Sequence, residues 1–219
     1  MDSLHPAVFF DKDGTLIDNV PYNVDCTQIQ LAPTAIDAAR QLSGAGYRIV
    51  VVSNQAGIAH GYFTMDAVLT VADYLRDLLA IVHVPLAGFY FCPHHPRGSV
   101  AMFAQACTCR KPAPGLLHQA AADLHLDLTQ SWMVGDILDD IEAGHRAGCR
   151  SVLCDVGNET EWQQSPFRVP DAIVSDLSGA AEHILSCAAA GPLPRPILRS
   201  GSHPKCFVSP WTYWTDSGN

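Results

Sequence analysis

The feature that most constrains the fold of this chain is a short apolar run, Ala-Val-Phe-Phe at positions 7–10, which ends directly in Asp11-Lys12-Asp13-Gly14. Four apolar residues are too few to show a helical stripe, so the run predicts a buried β-strand. Asp11 then lies at the carboxyl end of that strand, where open α/β sheets bind ligands. Because successive side chains of an extended segment point to opposite sides, we expect Asp11 and Asp13 to face one side and Lys12 to turn away. The alternative is an ordinary strand exit, where Asp and Gly are common turn residues.

Two later apolar runs end in polar residues in the same way. The run at 49–52 leads into Ser53-Asn54-Gln55, and the run at 132–134 leads into Gly135-Asp136. Strands are predicted at 7–10, 49–52, 88–91, 132–134, 151–153 and 172–174. Between the strands and after the last one, apolar residues recur at helical spacing and predict helices at 33–42, 64–82, 116–124, 141–147 and 177–187. Thr64 is the predicted cap of the second helix, and 57–61 is a predicted loop.

Strands that alternate with helices predict an α/β fold with a doubly wound, parallel, Rossmann-like sheet. Right-handed crossovers then bring Asp11, Ser53 and Asp136 to one edge of that sheet. We expect a single domain over 1–187. After residue 187 the sequence becomes rich in Pro, Gly and Ser, and 188–219 is interpreted as a poorly ordered tail. Trp211, Tyr213 and Trp214 are either an interaction patch or, as we favour, without a specific function.

Charge and composition limit the partners. The formal net charge of −9 disfavours nucleic acid, which is a polyanion. The chain begins without a basic start or a secretory apolar stretch, and it has no run of about 18 apolar residues that would span a membrane. We therefore expect a cytoplasmic protein with no membrane partner. Separately, we expect a monomer. In a reducing compartment, clustered members of the eight cysteines are better explained as metal ligands than as disulfides.

The polar residues at the strand ends fit the needs of phosphoryl transfer, which requires a nucleophile, a proton shuttle and cations. Asp11 is the candidate nucleophile, and Asp13 is the candidate acid and base. Ser53 and nearby backbone N–H groups can bind phosphoryl oxygens. Lys111 can neutralise both the nucleophile and the phosphate, which otherwise repel each other.

Oxygen ligands for a divalent cation are available at the same edge. Asp136, Asp11 and the carbonyl oxygen of Asp13 make an all-oxygen site suited to Mg²⁺. Asp140 lies four residues beyond Asp136, near a predicted helix start. For Asp140, helix capping and direct ligation of the cation remain equal alternatives.

A second grouping consists of Cys92-Pro93-His94-His95 and Cys107-Thr108-Cys109. Three thiolates and one imidazole complete a tetrahedral Zn²⁺ site, and the loop 92–109 between them has little periodicity with which to fold itself. A redox pair of cysteines is the alternative. His95 is an alternative to His94 as the imidazole ligand.

Taken together, Asp11-x-Asp13-Gly14-Thr15, Ser53, Lys111 and Gly135-Asp136-x-x-x-Asp140 resemble the haloacid dehalogenase (HAD) superfamily, in its phosphatase branch. The resemblance covers residues 7–187. It implies that the second acid, Asp13, supports phosphoryl rather than dehalogenase chemistry. No long insertion follows Gly14 or Asn54, so the resemblance implies a member without a large cap domain.

The zinc grouping, Asn54-Gln55-x-Gly57 and Cys109-Arg110-Lys111-Pro112-x-Pro114-Gly115 make the chain similar to heptose-1,7-bisphosphate phosphatases and the related histidinol-phosphate phosphatases. That similarity implies a structural Zn²⁺ with His94 as ligand, in a loop that delivers Arg110 and Lys111. It further implies substrate contacts from Asn54, from His60 and from Arg110, which would hold a distal phosphate or ring hydroxyls. The chain departs from this family at His60, where Arg is usual, and at Ile137, where Lys is frequent. For His60, a hydrogen bond to the substrate and an exposed position in the loop are equal alternatives.

The expected function is therefore Mg²⁺-dependent hydrolysis of a phosphorylated sugar, at the C7 phosphate of a heptose bisphosphate in heptose biosynthesis. Histidinol phosphate or another small phosphate monoester is the alternative within the enzyme class. A non-catalytic, zinc-stabilised binding module is the alternative from a different class, and the complete set of acids with Lys111 argues against it.

Overall fold

A computed structural model describes residues 4–190, which form one six-stranded sheet in the order β3-β2-β1-β4-β5-β6. Every neighbouring pair is parallel, so the predicted doubly wound α/β sheet is confirmed. The strands are β1 Ala7–Phe10, β2 Arg48–Asn54, β3 Leu86–Cys92, β4 Trp132–Gly135, β5 Arg150–Cys154 and β6 Ala172–Val174.

Helices cover both faces of this sheet. They are α1 Ala35–Gly44, α2 Ala56–His60, α3 Met65–Ile81, α4 Gly115–Leu124, α5 Leu138–Ala147 and α6 Leu177–Ala190. Two short 3₁₀ helices span Cys26–Gln28 and Leu128–Gln130. The Thr64 side chain accepts a hydrogen bond from Ala67 N, as its predicted role as a helix cap requires. Among residues 4–190, no helix has the length and apolar character needed to cross a membrane.

The core consists of two apolar layers, one on each side of the sheet. Side chains of β1 alternate between them: Val8 and Phe10 pack with α1, α3 and α6, while Ala7 and Phe9 pack with α4 and α5. All four β1 residues are fully buried, which explains why this strand is continuously apolar instead of alternating.

The predicted loop over 57–61 is wrong, because the chain forms α2 there and ends it at Gly61 with φ +74°. Gly57, Ile58 and Ala59 are buried in this helix. A Cβ on Gly57 would lie 2.2 Å from the Phe63 ring, so the glycine permits close packing at this point. Five residues are too few to show helical periodicity, which is why the sequence pattern missed α2.

The order of the strands places a ligand site at the ends of β1 and β4. The chain builds β1, β2 and β3 outward in one direction and then returns to place β4 on the other side of β1. At such a reversal the loops leave in opposite directions and open a crevice at the carboxyl ends. The last helix continues to Ala190, beyond the predicted boundary at residue 187. Trp211, Tyr213 and Trp214 lie outside the described residues.

Candidate active site and metal centres

Strands β1, β2 and β4 bring the predicted catalytic residues together at their carboxyl ends. Asp11, Ser53, Lys111 and Asp136 are all buried, with at most 8% of each residue exposed. Lys111, two residues after the zinc loop, extends its side chain to the ends of these strands. Its Nζ contacts the Asp11 carboxylate and lies 2.7 Å from Asp140 Oδ1.

Lys111 is a buried cation held between two acids. Its Nζ also donates a hydrogen bond to the Val52 carbonyl oxygen at 3.0 Å. Burial lowers the pKa of Lys111, but the negative charges of Asp11 and Asp140 outweigh that effect and raise the pKa above its usual value. The ammonium therefore stays protonated, and it offsets the charge of the nucleophile candidate.

Asp11, Asp136 and Asp140 form a triad of buried carboxylates, which we call the metal triad. Each offers one oxygen, and these oxygens lie within 4.8 Å of one another. Burial, followed by the nearby charge of Asp11, raises the pKa of Asp136 to about 6. Bringing three acids so close is costly without a cation, and hard oxygen ligands of this kind suit Mg²⁺.

Asp140 has features of both predicted roles. Its Oδ2 accepts a long hydrogen bond of 3.4 Å from Ile137 N at the start of α5, which matches helix capping. It also belongs to the metal triad and contacts Lys111. Burial raises the pKa of Asp140, and the charge of Lys111 opposes this rise.

Asp136 is fixed by hydrogen bonds to both of its oxygens. Thr15 Oγ1 donates to Oδ1 at 2.9 Å, and Asn158 Nδ2 donates to Oδ2 at 2.8 Å. Gly14 has φ +87°, and a Cβ there would lie 2.3 Å from Asp136 Oδ2 and 2.5 Å from Asn158 Nδ2. A glycine is therefore required next to this pair. Sequence reasoning missed Asn158, which lies in an irregular segment without a motif.

Asp13 is held by two neighbours that the sequence analysis did not assign to it. Gln55 Nε2 donates to Asp13 Oδ2 at 3.0 Å and to Ser53 Oγ at 2.8 Å, so one amide links the acid to the serine. Burial raises the pKa of Asp13, and the adjacent Lys12 ammonium partly offsets this rise. Gln55 lies two residues after Ser53 and directly after the end of β2, and that position was the signal that the sequence offered.

The prediction that Lys12 turns away from Asp13 is wrong. Lys12 is buried, and its Nζ lies 2.7 Å from Asp13 Oδ1. The alternation argument fails because the strand ends at Phe10 and the chain turns at Lys12.

Asn54 was expected to contact substrate, yet both polar atoms of its side chain bind the backbone of Lys111. Its Nδ2 donates to Lys111 O and its Oδ1 accepts from Lys111 N, each at 3.0 Å. Asn54 at the end of β2 thus fixes the backbone of Lys111, whose ammonium contacts two members of the metal triad.

The predicted zinc ligands converge after β3. Sγ of Cys109 lies 3.2 Å from Sγ of Cys92 and 3.3 Å from Sγ of Cys107, and His94 Nδ1 lies 3.4 Å from Cys109 Sγ. Ligands about 2.3 Å from a tetrahedral Zn²⁺ are separated by about 3.8 Å, so a slight expansion would admit the ion. This set of three sulfurs and one imidazole therefore fits a closed Zn²⁺ site.

Backbone groups support the same cluster. His94 N donates to Cys92 Sγ at 3.4 Å, and Arg110 N donates to Cys107 Sγ at 3.3 Å. The histidine of the cluster is His94 and not His95, whose Nδ1 accepts a hydrogen bond from Arg97 N at 3.2 Å. Among residues 4–190 no cysteine forms a disulfide, so all three cysteines of the cluster are available as metal ligands.

Arg110 and His60 both lie near His95 of the zinc loop. Arg110 Nη1 is buried and has no hydrogen-bond partner, so it can donate a hydrogen bond to a ligand. Burial and the charge of Arg110 both lower the pKa of His95, whose ring centroid is 4.8 Å from that of His60. The His60 ring also stacks on Tyr62, with 5.5 Å between the two ring centroids.

Comparisons with known proteins agree with this geometry. The family model described as HAD-hydrolase-like matches residues 108–180. A D-glycero-β-D-manno-heptose-1,7-bisphosphate 7-phosphatase of Escherichia coli is 39% identical over 184 residues, which cover 84% of this chain and 90% of that protein. The protein of the same name from Yersinia pestis is 45% identical over 138 residues, which cover 63% of this chain and 73% of that protein.

A solved structure shares the fold and a quarter of the sequence. The D,D-heptose 1,7-bisphosphate phosphatase of B. bronchiseptica, crystallised with magnesium and phosphate, has a TM-score of 0.67 and 26% identity, and the match covers 83% of this chain and 98% of that chain. Together with the buried acids and Lys111, these similarities show that this chain belongs to the haloacid dehalogenase-like hydrolases, among their phosphoric monoester hydrolases.

Proposed function

We propose that this enzyme removes the C7 phosphate of D-glycero-D-manno-heptose 1,7-bisphosphate through an aspartyl-phosphate on Asp11. The observation that carries this proposal is the position of Lys111 Nζ between Asp11 and Asp140, beside the metal triad. The substrate follows from the relatives named above, which bear that activity in their names. In the first step an Asp11 oxygen attacks phosphorus, and the bond from phosphorus to the C7 oxygen breaks.

Asp13 supplies the proton for that leaving oxygen. Its raised pKa makes a protonated carboxyl accessible, and Gln55 and Lys12 fix its orientation. After the sugar leaves, Asp13 is a carboxylate and takes a proton from water, which attacks the phosphorus. Phosphate is released, Asp11 is restored, and Asp13 is again protonated.

Charge compensation comes from protein and metal. Mg²⁺ held by Asp11, Asp136 and the Asp13 carbonyl oxygen, with Asp140 as a further candidate, would offset the charge of the phosphoryl group. Lys111 keeps the nucleophile from being repelled by the incoming phosphate. Ser53 Oγ accepts a hydrogen bond from Gln55, so we assign its own proton to a phosphoryl oxygen.

The zinc loop positions the residues that follow it. Zn²⁺ on Cys92, His94, Cys107 and Cys109 would fix the chain immediately before Arg110 and Lys111. The unpartnered Nη1 of Arg110 is then available to the distal phosphate or a ring hydroxyl. Asn54 contributes to the substrate site indirectly, through the Lys111 backbone.

One observation favours a second candidate, histidinol phosphate or another small phosphate monoester. His60 packs against Tyr62 and His95, and Ile137 is an apolar residue at the N-cap of α5, so neither position carries the Arg or Lys that is usual in heptose bisphosphate phosphatases. A substrate with one phosphate needs fewer cations at the distal end.

Phosphate release from a substrate panel tests both candidates. The zinc-loaded protein is incubated with heptose 1,7-bisphosphate, histidinol phosphate and simple sugar phosphates, with Mg²⁺ or with EDTA followed by Mg²⁺. We expect Mg²⁺-dependent release and the highest kcat/KM for the heptose bisphosphate. A higher kcat/KM for histidinol phosphate would replace the first candidate with the second. No release from any substrate would favour a non-catalytic binding module.

A further inference from the structure

The segment 156–171 between β5 and β6, which we call the strap, lies along α5 and reaches Asp136. Asn158 near its beginning contacts Asp136, and Arg168 near its end pairs with acids of α5. In the sequence the strap showed no periodicity and no motif. None of the catalytic steps above uses it, although it contacts one member of the metal triad.

The contact between Asn158 and Asp136 leaves the carboxylate able to bind a cation. Each carboxylate oxygen has two lone-pair directions. Thr15 occupies one direction on Oδ1 and Asn158 occupies one on Oδ2, so each oxygen retains a second. Both donors are neutral, so they fix the carboxylate without competing with the cation by charge. The missing Cβ of Gly14 leaves the space in which the amide meets the acid.

The residue after Asn158 attaches the strap to the start of α5. Glu159 Oε2 accepts a hydrogen bond from Leu138 N at 2.7 Å. Its Oε1 accepts from Glu161 N at 2.8 Å and from Trp162 N at 3.2 Å, so the same carboxylate also closes a turn within the strap. Although burial alone raises the pKa of Glu159, these backbone donors lower it, and the acid remains charged at the positive end of the helix.

Ion pairs attach the far end of the strap to the middle of α5. Arg168 Nε donates to Glu142 Oε2 at 2.6 Å, and its Nη2 pairs with Asp139. Arg146 Nε donates to the other oxygen of Glu142 at 2.7 Å, and its guanidinium lies 5.2 Å from the centroid of the Phe167 ring. The Arg168 and Glu142 side chains are only 14% and 10% exposed, so solvent screens this pair weakly.

We propose that Asn158 is a positioning residue that orients Asp136 for Mg²⁺, and that the strap's attachment to α5 holds Asn158 in place. The inference rests on the proposed role of Asp136 as a magnesium ligand. Partners that orient a metal ligand typically change metal affinity by about 10- to 100-fold when they are removed. Asn158 has only neutral donors and acceptors, so its contribution is geometric.

The test measures Mg²⁺ binding directly, by calorimetric titration of MgCl₂ into the zinc-loaded protein without substrate. Asn158→Ala removes the amide, and Asn158→Leu replaces it with an apolar side chain of similar size. Gln163→Ala is the matched control, because Gln163 Nε2 contacts Glu161 within the strap at 3.0 Å and is exposed. We expect both Asn158 variants to bind Mg²⁺ about 10- to 100-fold more weakly and the control to bind like the wild type.

Three further measurements separate positioning from folding and from catalysis. The melting temperature without Mg²⁺ shows whether each variant is folded. The substrate KM at saturating Mg²⁺ should change less than twofold, because Asn158 acts through Asp136. Arg168→Met should weaken Mg²⁺ binding in the same direction but by less, since Glu159 still attaches the strap; this variant also tests the inference if both Asn158 variants fail to fold.

The outcomes are distinguishable. If the wild type binds Mg²⁺ and the folded Asn158 variants bind it equally well, the positioning role is overturned while the proposed function stands. The same holds if neither Asn158 variant folds and Arg168→Met binds Mg²⁺ like the wild type. If the wild type itself binds no Mg²⁺ and releases phosphate from no substrate, the proposed function is overturned, and the positioning role that rests on it is overturned with it.

Discussion

Replacing Lys111 with Met tests the electrostatics at the centre of this site. The substitution retains most of the side-chain volume and removes the buried ammonium. Asp11, Asp136 and Asp140 then lie within 4.8 Å of one another without a compensating cation in the Mg²⁺-free protein. Removing one partner of a buried ion pair costs about 3–5 kcal/mol, because the remaining charge stays buried and unpaired.

Solvent screening should reduce this destabilisation only slightly, because the paired side chains are buried. The Lys111 side chain is 2% exposed, and that of Asp140 is fully buried. We therefore expect Lys111→Met to lower the free energy of unfolding by about 3–5 kcal/mol, measured by urea denaturation of zinc-loaded, Mg²⁺-free protein. It should also remove activity, since the nucleophile loses its cation.

Two variants serve as controls for this experiment. Arg110→Met removes the neighbouring cation, whose buried Nη1 has no hydrogen-bond partner, so its effect on unfolding should be below about 1 kcal/mol. Adding Asp140→Asn to Lys111→Met removes one of the uncompensated charges and should restore part of the stability. A Lys111→Met protein within about 1 kcal/mol of the wild type would refute the reasoning, because the buried charges would then need no cation.

Two further variants test other parts of the account. Cys107→Ser should lower the zinc content below the expected value of about one Zn²⁺ per chain, and it should reduce activity because the segment that carries Lys111 is no longer held. Elemental analysis measures the zinc content, with Cys26→Ser as the control. Equal zinc contents in the two variants would contradict the site. Burial raises the pKa of Asp171, but the hydrogen bonds from His145 and from Ser151 N outweigh burial and lower this pKa below its usual value. The Asp171 carboxylate therefore stabilises the fold above the usual Asp pKa, and this stabilisation is lost as the pH falls through the lower pKa of the folded protein. Asp171→Asn should therefore reduce the free energy of unfolding at pH 7 by no more than about 1 kcal/mol, since Asp171 is partly exposed. Urea denaturation should show that the difference between the wild type and the variant vanishes in strong acid. A difference that grows in acid would contradict this explanation.

The sequence predicted the sheet because its strands carry strong local signals. The run at 7–10 is fully apolar and ends in acids, and buried parallel strands have that character. Topology rules then placed Asp11, Ser53 and Asp136 at one edge. The three cysteines of the zinc site followed from residue type and spacing, and the choice of His94 over His95 followed from the family resemblance. These features depend on properties that a short stretch of sequence contains.

The residues that sequence reasoning missed depend on contacts distant in the chain. Asn158 meets Asp136 from 22 residues away. The Asn54 side chain binds the backbone of Lys111, 57 residues further along the chain. The sequence does not distinguish an amide that is available to a substrate from one that is already hydrogen-bonded within the protein. Lys12 turns toward Asp13 because the strand ends at Phe10, before the residues to which the alternation argument was applied.

Turnover by an Asp11→Asn variant is the most direct test of the central claim, that Asp11 carries the phosphoryl group. Phosphate release from heptose 1,7-bisphosphate is compared between wild type and Asp11→Asn at saturating Mg²⁺, with circular dichroism to confirm that the variant is folded. The wild type should turn over and, after acid quenching, carry the mass of one phosphoryl group on the peptide that contains Asp11. The variant should show neither. Turnover by folded Asp11→Asn at the wild-type rate would contradict the mechanism.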